Sequence, residues 1–419
     1  MKKNKLIIIL LLVISPAFLY SQSFGEKIKS SLDTLSIALK KKDISLVKKI
    51  TAPDFSISTY SGPGAYSLLD IILKNQNFES IEFISENNQT EKDPAIILAT
   101  AKFVMQNNKV YESIIAFDPN TRIVFIDRFD NLFGHSRYRE SRLIGTIPFT
   151  ESDESIILQL SLNGVSRPLL FLLDTGADGM AIRKGLADSL NLKINHVQTA
   201  NVVGGKQQVE ISSGNTVCLS DSITLTNQNI AIFEHVRNNT DGIIGLNLIK
   251  QFITQIDFDK KLIHFYSFGD IKHTDSGRTI RVSMPNGLIM VSGVLNLTGK
   301  KEVAGNFVVD TGANYHLIAF SRFVRKNRLL LSGFKPESEG ATTSLGHTTP
   351  VYYGKAAEFD LENGIIQTDM PVTLQASGSR ESTDINTPDG SIGIQFFNKY
   401  NITINLLERE IHLVPRKLP

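Results

Sequence analysis

The sequence predicts a mainly β chain, built as two pseudo-symmetric β lobes preceded by a small α+β module. Three observations carry this. Helical stripes followed by strand-like runs occupy residues 25–135. From Ile147 onward, short apolar runs separated by glycine turns dominate and long helical patterns are scarce. This second region also repeats itself. Phe171-Leu172-Leu173-Asp174-Thr175-Gly176-Ala177 returns as Phe307-Val308-Val309-Asp310-Thr311-Gly312-Ala313, and Asp241-Gly242-Ile243-Ile244-Gly245 returns as Asp389-Gly390-Ser391-Ile392-Gly393. A long repeat present only twice implies two related lobes rather than a solenoid.

At 419 residues, the chain has room for about two to three domains. Met1 to Phe24 reads as an export address: Lys2, Lys3 and Lys5, an apolar run over 6–14, then the small residues Ser21-Gln22-Ser23, giving a signal peptide at 1–23. The apolar run falls short of the roughly 20 residues a membrane span needs. No later stretch is apolar enough to cross a bilayer, so no stable membrane insertion is expected and the protein is read as exported, periplasmic or extracellular. The 44 basic and 42 acidic side chains leave a net charge of +2, which gives no electrostatic case for nucleic acid. The single Cys218 excludes an intramolecular disulfide framework and any Cys-rich metal site, and the eight His residues contain no HExxH pair. No metal and no cofactor are expected. Neither a G-x-S-x-G elbow nor a Walker loop is present.

In order along the chain, Ile28, Leu32, Leu35, Ile37, Ala38 and Leu39 give a helical stripe ending at Lys40-Lys41-Lys42, and 66–73 reads as a shorter helix. Strand-like runs follow at 81–84, 96–105, 110–117 and 122–129, with Asn107-Asn108 and Asp118-Pro119-Asn120 as turns. This is the α+β module, 25–133, and its helices-then-meander order resembles the NTF2-like or cystatin-like folds. An Arg-rich linker at 134–145 leads to the first lobe, 146–270, and the second lobe spans 278–416. The repeat reaches beyond the Asp-Thr-Gly turns. Phe252 and Tyr400 follow Asp241 and Asp389 at equal spacing, as do His264 and His412. Residues 256–265 and 404–413 both read as hairpins with charged turns. His264 and His412 alternate with apolar neighbours and are read as structural.

Each Asp-Thr-Gly ends an apolar strand, so its carboxylate emerges from a rigid, buried base. The glycine allows close backbone approach and leaves a peptide N–H for the carboxylate. The threonine hydroxyl can donate across the pseudo-dyad. Two such turns face to face bring Asp174 and Asp310 together. Like charges so close cannot both ionise easily, so the pair shares a proton at acid pH. The ionised member can take a proton from water while the protonated one polarises a peptide carbonyl.

On these residues the C-terminal part, roughly 144–415, resembles the bilobal aspartic proteases of the retropepsin and pepsin class. Leu172 to Asp178 is similar to the retropepsin active-site turn. Ile243-Ile244-Gly245-Leu246-Asn247-Leu248 and Ile392-Gly393-Ile394 resemble the apolar-apolar-Gly motif that packs behind it. The resemblance implies two β lobes with a cleft between them and a water held by catalytic Asp174 and Asp310. Thr175 and Thr311 would make the interlobe grip, and Gly176 and Gly312 would orient the carboxylates. Ala177, Asp178, Ala313 and Asn314 would border the substrate. Val202-Val203-Gly204-Gly205-Lys206 and Leu345-Gly346-His347 look like flap tips, which adds Gly204, Gly205 and Gly346 to the substrate-binding set.

The sequence departs from the family pattern in three places. No flap tyrosine stands beside Gly204. Pepsin-type disulfides are absent. Leu246 and Ile394 stand where retropepsins carry an arginine that pairs with an Asp of the catalytic turn, so the partner of Asp178 is unidentified. The expectation is an exported aspartic endopeptidase acting on peptide or protein substrates, monomeric because both lobes lie in one chain. The alternative is a non-catalytic peptide-binding protein on the same fold. A phosphate loop of the actin-like kinase fold is a third reading, and it requires long helices that this region lacks. Residues 25–133 are open between a propeptide and an accessory domain.

Overall fold

The computed structural model describes residues 16–87, 95–202, 205–236, 239–344, 347–376 and 387–417. Strand accounts for 50% of it and helix for 19%, so the chain is mainly β, as the glycine-punctuated apolar runs predict. It divides into two compact units, Met1–Gly134 and His135–Pro419. Among the described residues no helix is long and apolar enough to cross a membrane.

In the first unit, helices Pro16–Lys41, Ile44–Ile50 and Pro63–Asn75 accompany a six-stranded sheet. Asp43 caps the second helix by accepting from the Ser45 and Leu46 amides. Ile28, Leu32, Leu35 and Leu39 fall on one helical face and pack into a core with Phe55, Phe78, Phe103, Phe117 and Phe129. Ile37 lies off that face and is exposed, which corrects the stripe drawn from the sequence. Two further boundaries differ. The run expected to be strand over 122–129 is strand only over Ile123–Ile126, then turns into helix Asp127–Leu132. The strand Thr51–Ile57 went unread. It carries Pro53 and pairs in parallel with Ile123–Ile126, a long-range partnership that no local pattern announces.

The second unit is built of three sheets. The first half forms an eight-stranded sheet in the order 194–202, 205–220, 223–233, 180–183, 242–244, 169–173, 155–162, 150–152. The second half forms a seven-stranded one in the order 290–296, 302–310, 390–393, 317–319, 365–375, 347–361, 338–344. The central pattern is the same in both. Leu169–Leu173 runs parallel to Gly242–Ile244, which is antiparallel to Met180–Arg183. Likewise Glu302–Asp310 runs parallel to Gly390–Gly393, which is antiparallel to Leu317–Ala319. A third, six-stranded sheet joins the halves. There the hairpin strands Ile253–Asp257 and Tyr400–Asn405 pair antiparallel through Thr254↔Ile404, Gln255↔Thr403 and Ile256↔Ile402. One apolar core runs through both halves. The two repeated histidines sit in this joining sheet, each with a threonine at Nδ1: Thr146 at 2.8 Å from His264 and Thr279 at 2.9 Å from His412. His412 alone also meets Asp275 at 2.7 Å and stacks on His273. Burial opposes it, but the hydrogen bonds from His412 and the Gly277 amide hold the Asp275 carboxyl below its ordinary value.

The repeated Asp-Gly has a shared structural cause. The Asp241 amide donates to Leu170 at 2.7 Å, and the Leu170 amide returns a bond to the Asp241 carboxylate at 3.0 Å. Asp389 and Asn306 repeat both bonds at 2.8 and 3.0 Å. The following glycine leaves no room for a side chain. A Cβ on Gly242 would lie 2.4 Å from the Ala181 carbonyl oxygen and 2.5 Å from the Phe171 ring. Gly242→Ala is therefore expected to destabilise the second unit by about 3 kcal/mol, the upper end for overpacking a rigid core. The urea midpoint of that transition checks it, and an unchanged midpoint contradicts the packing described.

Candidate active site

Asp174 stands at the end of Phe171, Leu172 and Leu173, all buried. Its amide is held by the Ile244 carbonyl at 3.0 Å. Asp310 ends the corresponding strand of the second half, in register with Gly393. Each carboxylate accepts from the glycine amide two residues on: Gly176 to Asp174 at 2.8 Å and Gly312 to Asp310 at 3.1 Å.

The two turns lock through their threonines. The Thr175 amide donates to the Thr311 hydroxyl oxygen at 3.1 Å, and the Thr311 amide donates to that of Thr175 at 3.0 Å. Each hydroxyl then donates onward into the opposite strand: Thr175 to the Val309 carbonyl at 2.6 Å and Thr311 to that of Leu173 at 2.9 Å. Both side chains are fully buried, so the four bonds are shielded from competing water. The turns are pressed so close that each glycine faces the other half's carboxylate. A Cβ on Gly176 would sit 2.7 Å from the Asp310 carboxyl carbon, and one on Gly312 would sit 2.3 Å from that of Asp174.

Asp174, Thr175, Gly176, Asp310, Thr311 and Gly312 are thus brought together. Burial, the Asp174 charge and the hydrogen bond to Asp174 push the Asp310 carboxyl well above its usual range. Asp310 therefore keeps a proton at pH values where an ordinary carboxylate has lost it.

The alanines are committed to the turn. The Ala177 carbonyl accepts from the Leu246 amide at 2.8 Å and that of Ala313 from the Ile394 amide at 2.9 Å. Both therefore brace the apolar-apolar-Gly motif. Gly245 and Gly393 pass so close behind the turns that a Cβ would meet the Ala177 oxygen at 2.2 Å or the Tyr315 oxygen at 2.3 Å. Asp178 is exposed, and the partner that the sequence left unidentified is Lys250. The ammonium is 5% exposed on its side chain, and the carboxylate 65%. The cation comes not from the residue after Gly245 but from the end of the short helix Leu246–Ile249, one turn later. Asn314 takes a neutral partner, with the Gln395 amide donating to it at 2.7 Å.

Gly204 and Gly346 lie outside the described residues. Their hairpin arms do not: Ile194–Val202 pairs with Gly205–Ser220 up to Val202↔Gly205, and Ser338–Ser344 pairs with His347–Leu361 up to Ser344↔His347. Two residues at the site were missed from the sequence. Tyr315 and Ser391 stand near Asp310: burial and then the Asp310 charge hold the Tyr315 phenol well above its ordinary value, and the Ser391 hydroxyl donates to the Val308 carbonyl at 3.4 Å. Laying the repeats against one another would have found them, because Gly179 and Ile243 hold those places in the first lobe.

Residues 158–248 match the family model described as "Aspartyl protease", a span that contains Asp174 and the motif ending at Gly245. Among solved structures, the aspartic proteinase from Irpex lacteus is similar at 12% identity, with a TM-score of 0.44 over 66% of this chain and 98% of that one. No curated protein matches the sequence.

The raised Asp310 fixes a sign for stability. Between the ordinary carboxylate pKa and the raised one, the folded state binds a proton that the unfolded chain has released. Stability from this group is present at low pH and is lost as pH rises through that window. Asp310→Asn never ionises. Its stability relative to wild type is expected to grow as pH rises above about 4. Thermal unfolding of both proteins across that range checks it, and a difference that shrinks with rising pH contradicts the assignment.

Proposed function

We propose that the chain is an exported aspartic endopeptidase that hydrolyses peptide bonds with a water activated by Asp174 and Asp310. The observation that carries this is the threonine-locked pair of Asp-Thr-Gly turns, which sets two carboxylates against one another and pushes the Asp310 carboxyl upward. The aspartyl protease match over 158–248 supports the same reading.

Ionised Asp174 takes a proton from the water as its oxygen attacks the peptide carbonyl carbon. Asp310 gives its proton to the carbonyl oxygen, which yields a neutral geminal diol. The diol collapses as Asp174 passes the acquired proton to the amide nitrogen and Asp310 recovers one from a diol hydroxyl. The C–N bond breaks, the products leave, and the pair is restored. The window of activity follows from the pair. Hydrolysis falls at low pH as the pair takes up a second proton, and at high pH as it loses its last one. Asp178, Asn314 and the two flap hairpins complete the substrate cleft in this proposal. Residues 1–23 serve as the export signal, and the first unit serves as an accessory module of NTF2-like or cystatin-like outline. The protein acts as a monomer, because each half supplies one carboxylate.

The test is cleavage of a broad peptide library between about pH 3 and pH 7 by wild type, Asp174→Asn and Asp310→Asn. Each substitution is expected to lower kcat/KM by at least about 10²-fold, the scale of a lost proton-transfer group. Cleavage that persists in both variants would rule out the paired-carboxylate chemistry. Peptide binding with no turnover in the folded wild type would favour a binding module on this fold.

A further inference from the structure

The segment that joins the two lobes is fastened to strand Glu410–Pro415 by a cluster that the carboxylate chemistry does not use. His412 lies on that strand, in register with Thr279 of strand Arg278–Arg281. The Thr279 hydroxyl stands 2.9 Å from its Nδ1, and the Asp275 carboxylate 2.7 Å from its Nε2. The His273 ring lies on the His412 ring, with centroids 3.7 Å apart. His273, Asp275 and His412 each bring one ligating atom within 4.8 Å of the others, and among the described residues no other such group of three forms. The first lobe is a built-in comparison: His264 keeps a threonine, Thr146, at its Nδ1 but has no such group around it. Gly277 adds a second, independent observation. It does not need its glycine for a positive φ. Yet a Cβ there would lie 2.4 Å from His412 Nε2 and 2.8 Å from the Asp275 oxygen, so the glycine keeps the space beside both donor atoms clear. Its amide meanwhile aims the Asp275 carboxylate, donating to it at 2.8 Å.

When Nδ1–H donates to Thr279, Nε2 turns a lone pair toward a carboxylate oxygen. Two acceptors so close repel unless a cation lies between them. A proton is one such cation and a metal ion is the other. With a metal ion, Thr279 is the outer partner that fixes the ring tautomer. Two imidazoles and a carboxylate are donors that zinc and its transition-metal neighbours take, whereas calcium and magnesium take oxygen. We propose that His273, Asp275 and His412 form a site for one divalent transition-metal ion. The His412 side chain is 4% exposed and that of Asp275 43%, so the ion enters from the Asp275 side and water fills the fourth position. His273 tilts out of its stack to turn a ring nitrogen to the same point. The bound ion clips the 271–277 segment to a strand 137 positions further on. Cysteine counts and HExxH spacing do not reveal a set assembled over that distance. The proposal is independent of the peptidase reading.

The test is calorimetric titration of chelator-stripped, full-length protein with zinc chloride at about pH 7.5, where imidazole is largely neutral. Wild type is expected to bind one zinc ion per chain. His273→Ala and Asp275→Ala are each expected to weaken binding at least about tenfold, the least that a lost support of a metal site costs. His264→Ala, the first-lobe counterpart, is expected to bind as wild type does. Zinc-edge X-ray absorption of the wild-type complex should count two imidazole ligands. His273 and Asp275 both lie outside the apolar core, so their loss is read on folded protein, which circular dichroism checks. No zinc binding by wild type, or equal binding by wild type and both variants, overturns the proposal.

Discussion

Everything at the candidate site depends on holding two carboxylates closer than their charges favour. At a separation of about 4 Å and an effective dielectric near 20, two like unit charges repel by about 4 kcal/mol. That cost is set against a rigid frame. The four buried threonine bonds fasten the turns to one another and to the strands behind them. The hairpins of the joining sheet fasten the halves again at Thr254↔Ile404 and its neighbours. With the frame unable to spread, the remaining way to relieve the repulsion is to retain a proton.

The frame explains the glycines better than any local conformational need. Gly176 and Gly312 are required because the opposite carboxylate occupies the space of a side chain, and Gly245 and Gly393 because turn backbone passes behind them. These four places are matched across the two lobes. The side chains around them are free to differ, and they do. Lys250 answers Asp178 with a charge, while Gln395 answers Asn314 without one. Tyr315 and Ser391 stand near Asp310, and the first lobe has Gly179 and Ile243 in their places. A symmetric frame thus carries an asymmetric site.

The features legible in the sequence are those that a repeat duplicates. The two Asp-Thr-Gly turns, the two Asp-Gly elements and the paired histidines each appear twice at matched spacing, and each has a structural cause that both lobes share. What was not legible lies where the lobes diverge or where a contact is long-range. Lys250 sits a helical turn away from the place where the resemblance put a cation, and only the short helix Leu246–Ile249 brings it back to Asp178. Tyr315 carries no motif and gains its meaning from the ring's approach to Gly393. In the first unit, Thr51–Ile57 was obscured by Pro53 and by a parallel partner far along the chain. The strand read to Phe129 ends early because Asp127–Leu132 closes as a helix, which carries Phe129 into the core of the first unit.

One proton held by two carboxylates within a threonine-locked frame is an arrangement that can be seen. Neutron diffraction from crystals exchanged into deuterated buffer near pH 5 tests it most directly, because it places each proton. A single deuteron is expected between Asp174 and Asp310, with the Thr175 and Thr311 deuterons directed at the carbonyls of Val309 and Leu173. Two fully ionised carboxylates, or threonine hydroxyls turned away from the opposite strand, would contradict it.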